Sequence, residues 1–196
     1  SYKNIDQLEE AEASLKKGLD MGYADSWPHY QLAVVYNRME KHEEALKEVP
    51  LGFDEEEKDC SDYHWMMARN LGPMGEHREA IVHLRKAKDH DEASLYEEFG
   101  WNYSEMELYD KALDYFQRAY HLRQEKSGWL LAQLGCTEDR LGHHPKAEAY
   151  LKEALKKGYD TPWFHSVLAY HYWKTDQREE ALKWLKIAKA EGRDSE

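Results

Sequence analysis

The sequence predicts an all-α fold, a solenoid of stacked antiparallel helix pairs. Three observations predict it. Acid-Ala or Lys-Ala steps recur at Ala11, Ala45, Ala80, Ala112, Ala147 and Ala181, at intervals of 34, 35, 32, 35 and 34 residues, the signature of a repeat architecture. Around each step the apolar residues fall at i, i+3, i+4 and i+7, a helical spacing met twice per repeat. The period-2 alternation of half-buried strands is missing.

The second helix of each repeat carries the Ala, then a large apolar residue four positions on (Leu15, Val49, Leu84, Phe116, Leu151, Leu185), then a small one (Gly18, Gly52, Ala87, Ala119, Ala154, Ala188). The first helix carries Leu32, Met67, Phe99, Leu134 or Leu168, each followed by Ala33, Ala68, Gly100, Gly135 or Ala169. Small side chains suit places where two helix backbones approach closely. Residues 4–18 read as a lone second helix, followed by repeats at about 26–60, 61–92, 93–127, 128–161 and 162–195 in one array spanning 1–196. Asp25 or Ser26, Ser61 or Asp62, and Thr161 are the expected N-caps. Pro28 and Pro162 suit helix starts, where a missing N–H costs little. Pro50 should kink or end the second helix of the first repeat, and Gly72-Pro73 should shorten the first helix of the second.

The repeats resemble the tetratricopeptide repeat family, whose 34-residue motif runs W-x2-L-G-x2-Y, then A-x3-F, then Ala and Pro. Leu32-Ala33 with Tyr36, Phe99-Gly100 with Tyr103, and Leu168-Ala169 with Tyr172 carry the resemblance, each followed by its Ala. It extends over nearly the whole chain, although the closing Pro is absent from every repeat. The resemblance implies a right-handed superhelix of about five helix pairs plus one extra N-terminal helix. It also implies a concave groove that holds extended or helical peptides.

Composition removes several function classes. Lys plus Arg is 27 against 39 Asp plus Glu in 196 residues, a net charge of −12. That balance opposes nucleic acid as a ligand and docking on anionic lipid. No apolar run is long enough to span a membrane, and the first twenty residues do not read as a signal peptide. Cys60 and Cys136 are too few for a disulfide scaffold, which favours a cytoplasmic setting. The chain opens inside a helix pair and ends in Gly192-Arg193-Asp194-Ser195-Glu196 without a polar capping helix. Because solenoids need solvated ends, this predicts a piece of a longer protein or ends covered by self-association.

The aromatic residues point to the site. Counting from each repeat's first residue, Trp27, Trp129 and Trp163 fall at position 2, Trp65 at 5, Trp101 at 9 and Trp173 at 12. At about 100° per residue these positions form one stripe, opposite the core positions. Tyr30, Arg69 and Tyr170 share it. On the family resemblance this stripe lines the groove, so the candidate binding residues are Trp27, Tyr30, Trp65, Arg69, Trp101, Trp129, Tyr170 and Trp173. Trp, Tyr and Arg are the usual anchors of an interface. The position-2 rings have packing on the preceding joint as an equal alternative. The Lys/Asn set with which some family members clamp the acidic tail of heat-shock chaperones is absent. Glu97, Glu98 and Glu105 make the middle of the stripe acidic, so the expected partner is a protein or peptide with apolar anchors and, as an option, basic residues.

No catalytic motif, cofactor site or metal site is expected. The eleven His show no HExxH or paired spacing;. His29, His64 and His165 read as packing residues, and His143-His144 as a solvated turn. Cys136 reads as an inert thiol without a cationic neighbour in its immediate sequence. The leading reading is a protein–protein interaction scaffold, not an enzyme. The alternatives are an oligomerisation or regulatory segment of a larger protein, and a small-ligand, sugar-like site on the aromatic stripe.

Overall fold

The computed structural model describes residues 2–22 and 25–193. It divides into two compact units, 1–102 and 103–196. The first holds α1 (Tyr2–Asp20), α2 (Ser26–Arg38), α3 (His42–Glu48), α4 (Ser61–Leu71), α5 (His77–Leu84) and most of α6 (Glu92–Glu105). The second holds the last turn of α6, α7 (Tyr109–Leu122), α8 (Gly128–Arg140), α9 (His144–Lys156), α10 (Pro162–Lys174) and α11 (Arg178–Arg193). No strand occurs among the described residues. Tyr23 and Ala24 of the first inter-repeat joint, and Asp194-Ser195-Glu196 at the chain end, lie outside them.

The helices begin and end for local reasons. Pro50 ends α3 early, and Val49–Leu51 continues as a 3-10 turn. Gly72-Pro73 leaves α4 at 11 residues, where α2, α8 and α10 have 13. Asp25 is the N-cap of α2, and Thr161 caps α10 by accepting from Phe164 N at 3.2 Å. Ser127 caps α8 in the same way. At α4 the expectation of Ser61 or Asp62 is corrected: the cap is Cys60, whose Sγ accepts from Tyr63 N at 3.4 Å. Ser61 Oγ instead accepts from Asp89 N, tying α4 to the loop before α6.

The turn inside each pair is the same five times. The residue two before the second helix has positive φ: Glu40, Gly75, Glu107, Gly142 and Asp176. The next N–H reaches back to Tyr36, Leu71, Tyr103, Glu138 and Tyr172 O at 2.8–3.0 Å, closing a Schellman-type C-cap. Glycine marks this turn only twice. The other three positions hold acids in a conformation that disfavours a Cβ.

The recurring residues form the core. Ala45, Ala80, Ala112 and Ala147 are fully buried, as are Leu32, Phe116, Leu134, Leu151 and Leu168. A Cβ on Gly135 would lie 2.7 Å from the Leu151 side chain, and one on Gly52 2.6 Å from Tyr30 N. Polar rungs join successive repeats in the first unit. His42 Nδ1–H donates to Asn70 Oδ1, and His77 Nδ1–H to Asn102 Oδ1, each at 3.1 Å. The amide of each Asn donates to the carbonyl four residues back. The packing histidines also have carboxylate partners: His29 has Glu48, His64 has Asp59 and His165 has Asp160.

Gly142→Ala should destabilise the chain by about 1 kcal/mol, while Glu107→Gly should stabilise it, because only glycine escapes the left-handed penalty. Urea unfolding of both variants checks the opposite signs. His83 Nδ1 faces His64 Nδ1 at 2.8 Å. Burial first, then the neighbouring His64 and Lys86 charges, push its pKa down to about 4. The unfolded chain therefore takes up this proton first, and the stabilisation present above about pH 6.5 is lost as pH falls toward 4. Between pH 7 and pH 5 the urea midpoint should drop more for the native sequence than for His83→Gln.

Candidate functional site

In the first unit, α2 and α4 run side by side and leave a cleft of about 500 Å³ between their exposed faces. Tyr30, Val34, Asn37 and Arg38 come from α2, Trp65, Met66, Arg69 and Asn70 from α4, and His90 from the loop before α6. Each ring is braced from behind. Tyr30 meets Phe53 edge-on at 5.6 Å, and the bare Gly52 lets the chain pass close to its backbone. Trp65 is stacked on His90 at 4.6 Å. Arg69, one turn on from Trp65, lies 5.8 Å from that ring, and its Nε is 3.6 Å from Glu98 Oε1. Burial raises the Glu98 carboxyl above the usual range, opposed by Arg69 and reinforced by Glu97.

In the second unit, α10 and α11 frame a cleft of about 840 Å³ lined by Tyr170, Trp173, Lys174, Ala181, Leu182 and Leu185, among others. Tyr170 and Trp173 lie 6.1 Å apart, and Lys174 Nζ is 5.5 Å from both rings. Arg140 covers the Tyr170 ring at 4.8 Å. A smaller hollow on the other side of Tyr170 holds Cys136, Arg140 and Trp163. Arg140 is the cationic neighbour that the immediate sequence around Cys136 did not reveal. Burial still outweighs it and keeps the thiol's pKa raised, so the sulfur is not an activated nucleophile;.

The eight sequence candidates therefore separate. Tyr30, Trp65 and Arg69 line one cleft, and Tyr170 and Trp173 line the other. Trp27 is 62% exposed and belongs to neither lining. Trp101 is turned against the preceding repeat: its ring fills the space above Gly72 and meets His77 edge-on at 5.7 Å. Trp129 packs edge-on against Phe116 at 6.0 Å. Asn37, Asn70 and His90 line the first cleft without having been singled out in the sequence. His90 lies in a loop, where no periodicity could have marked it.

The second unit also holds a polar cluster. Asp139 accepts from His144 Nδ1 at 2.8 Å and from His171 Nδ1 at 2.9 Å. His143 donates to the buried Glu138 at 2.7 Å. The pair His143-His144 is thus not merely a solvated turn; both side chains are held by buried carboxylates. Burial raises the Asp139 carboxyl, but the hydrogen bonds from His171 and His144 outweigh it and hold the group below the usual range. Asp139, His144 and His171 offer three ligand atoms within 4.8 Å of one another, the spacing of a metal site.

No described helix is long and apolar enough to cross a membrane. No family model matches the sequence. No curated protein matches it either. Solved structures do. The chain is similar to PilF of Pseudomonas aeruginosa at 16% identity, over 96% of this chain and 86% of that one, with a TM-score of 0.72. It is similar to YrrB, described as a TPR protein with an unusual peptide-binding site, at 19% identity over 89% and 90%, with a TM-score of 0.61. A chain of the APC/C hetero-tetramer Cut9–Hcn1 matches at 18% identity and a TM-score of 0.78, over 92% of this chain but 36% of that one. At these identities the likeness shows the fold.

Proposed function

We propose that this chain, which has the tetratricopeptide-repeat fold, is a protein-interaction scaffold that takes an apolar side chain of an extended peptide between Tyr30 and Trp65. The observation that carries the reading is the first cleft, where two braced rings from successive first helices face open space beside Arg69. Rings held rigid before binding lose little freedom on contact, which is what makes Trp and Tyr effective anchors. The peptide-binding site named for YrrB supports the reading by analogy of fold;. At short range the cleft sets Arg69 against Trp65 and includes Arg38 and Glu40 in its lining, so it suits an apolar group flanked by polar or charged ones. The net charge of −12 acts at longer range and favours approach of basic partners;. The role is binding rather than catalysis.

A second reading, self-association or docking within a larger protein, has its own support on α11. Val49, Leu84, Phe116 and Leu151 are 0–2% exposed, whereas Leu185 at the equivalent position is 54% exposed. Trp173 and Leu182 lie exposed beside it. A face with a core pattern and no cover invites another helix.

The test is a peptide array probed with the native chain and with Trp65→Ala. Loss of a buried Trp anchor worth about 2 kcal/mol should weaken retained peptides by roughly thirtyfold. Unchanged binding to the same peptides contradicts the cleft reading. Sedimentation of the native chain and Leu185→Glu tests the second: dimers abolished by the substitution support it, and a monomer at every concentration excludes self-association.

A further inference from the structure

We propose that Asp139, His144 and His171 bind a divalent transition-metal ion of the zinc class. The three side chains come from the end of α8, the start of α9 and the last turn of α10, so an ion held by them would fasten three helices of two successive pairs.

The comparison within the chain carries the proposal. In the first unit the equivalent rungs are an imidazole at the start of a second helix and an amide on the next first helix, His42 with Asn70 and His77 with Asn102. An amide suffices for that structural task. In the second unit His171 stands where Asn70 and Asn102 stand, and the buried carboxylate of Asp139 stands where Asn37 donates to Asn70 Oδ1 in the first rung, so two amides and one imidazole have become one carboxylate and two imidazoles. Two imidazoles and a carboxylate form a donor set that suits zinc and its neighbours, with a fourth position left for water.

The geometry agrees. Asp139 Oδ1 is 2.8 Å from His144 Nδ1 and 3.0 Å from His171 Nδ1. Neighbouring ligand atoms of a tetrahedral zinc site stand roughly 3.3 Å apart, from bonds of about 2.0–2.1 Å, so the two Asp139 distances need open by only a few tenths of an ångström, and all three ligand atoms lie within 4.8 Å of one another. The Asp139 and His171 side chains are 1% exposed, while His144 is 35% exposed and gives the ion a route in from solvent. Glu138 Oε2 is engaged with His143.

The experiment is titration of the full chain, stripped by chelator, with zinc by calorimetry, and with cobalt(II) by visible absorption. One ion per chain is expected, with the strong visible bands of a four-coordinate cobalt site. His171→Asn restores the residue that the sister rungs use, so it should fold, as circular dichroism will show, yet bind zinc at least tenfold more weakly. His144→Ala should do the same, and His121→Ala should bind as the native chain does. Less than one ion bound, or equal binding by the native chain and His171→Asn, overturns the proposal.

Discussion

Everything in this molecule depends on a methyl group or less wherever the two helices of a pair cross. Ala45, Ala80, Ala112 and Ala147 have no exposed surface, and Gly135 admits Leu151 where a Cβ could not fit. Close approach brings the large residue four positions later into full contact with the neighbouring first helix. Dispersion and removal of apolar surface from water then hold neighbouring helices together within each unit. In α2, α4 and α10 the face opposite this contact keeps part of its surface in solvent, whereas α8 is buried nearly all round. Tyr30 and Trp65 occupy it in one unit, and Tyr170 and Trp173 in the other.

Most of the fold was legible because these contacts are periodic. The alanine spacing, the large residue after it, and the Pro50 and Gly72-Pro73 breaks appear where helical geometry puts them. What was not legible depends on partners distant in sequence. Glu40 and Glu107 adopt left-handed turns although nothing local favours it, and Asp176 does so as one of the few non-glycine types that tolerate it;. The cap at Cys60 went unseen because Ser61 and Asp62 are the stronger cap formers. The hydrogen bonds of His42 and His77 reach residues 28 and 25 positions away.

The site was partly legible for the same reason. A stripe of rings predicts which side of a helix they occupy, but not what stands opposite. Trp65 and Trp101 share the stripe, yet Gly72 leaves a hollow into which the Trp101 ring fits, and the ring becomes part of the stack. Trp129 finds Phe116 in the same way. The histidines reverse the lesson. As a scattered set they suggested only packing and solvation, and it took the fold to gather Asp139, His144 and His171.

On the proposed binding role, the rings that line the clefts, and not Trp101 or Trp129, meet the guest. The indole N–H signals of the seven tryptophans can be followed by NMR as a retained peptide is added. The Trp65 signal should move, while those of Trp101 and Trp129 stay in place. Movement of Trp101 and Trp129 with Trp65 unchanged would contradict the account.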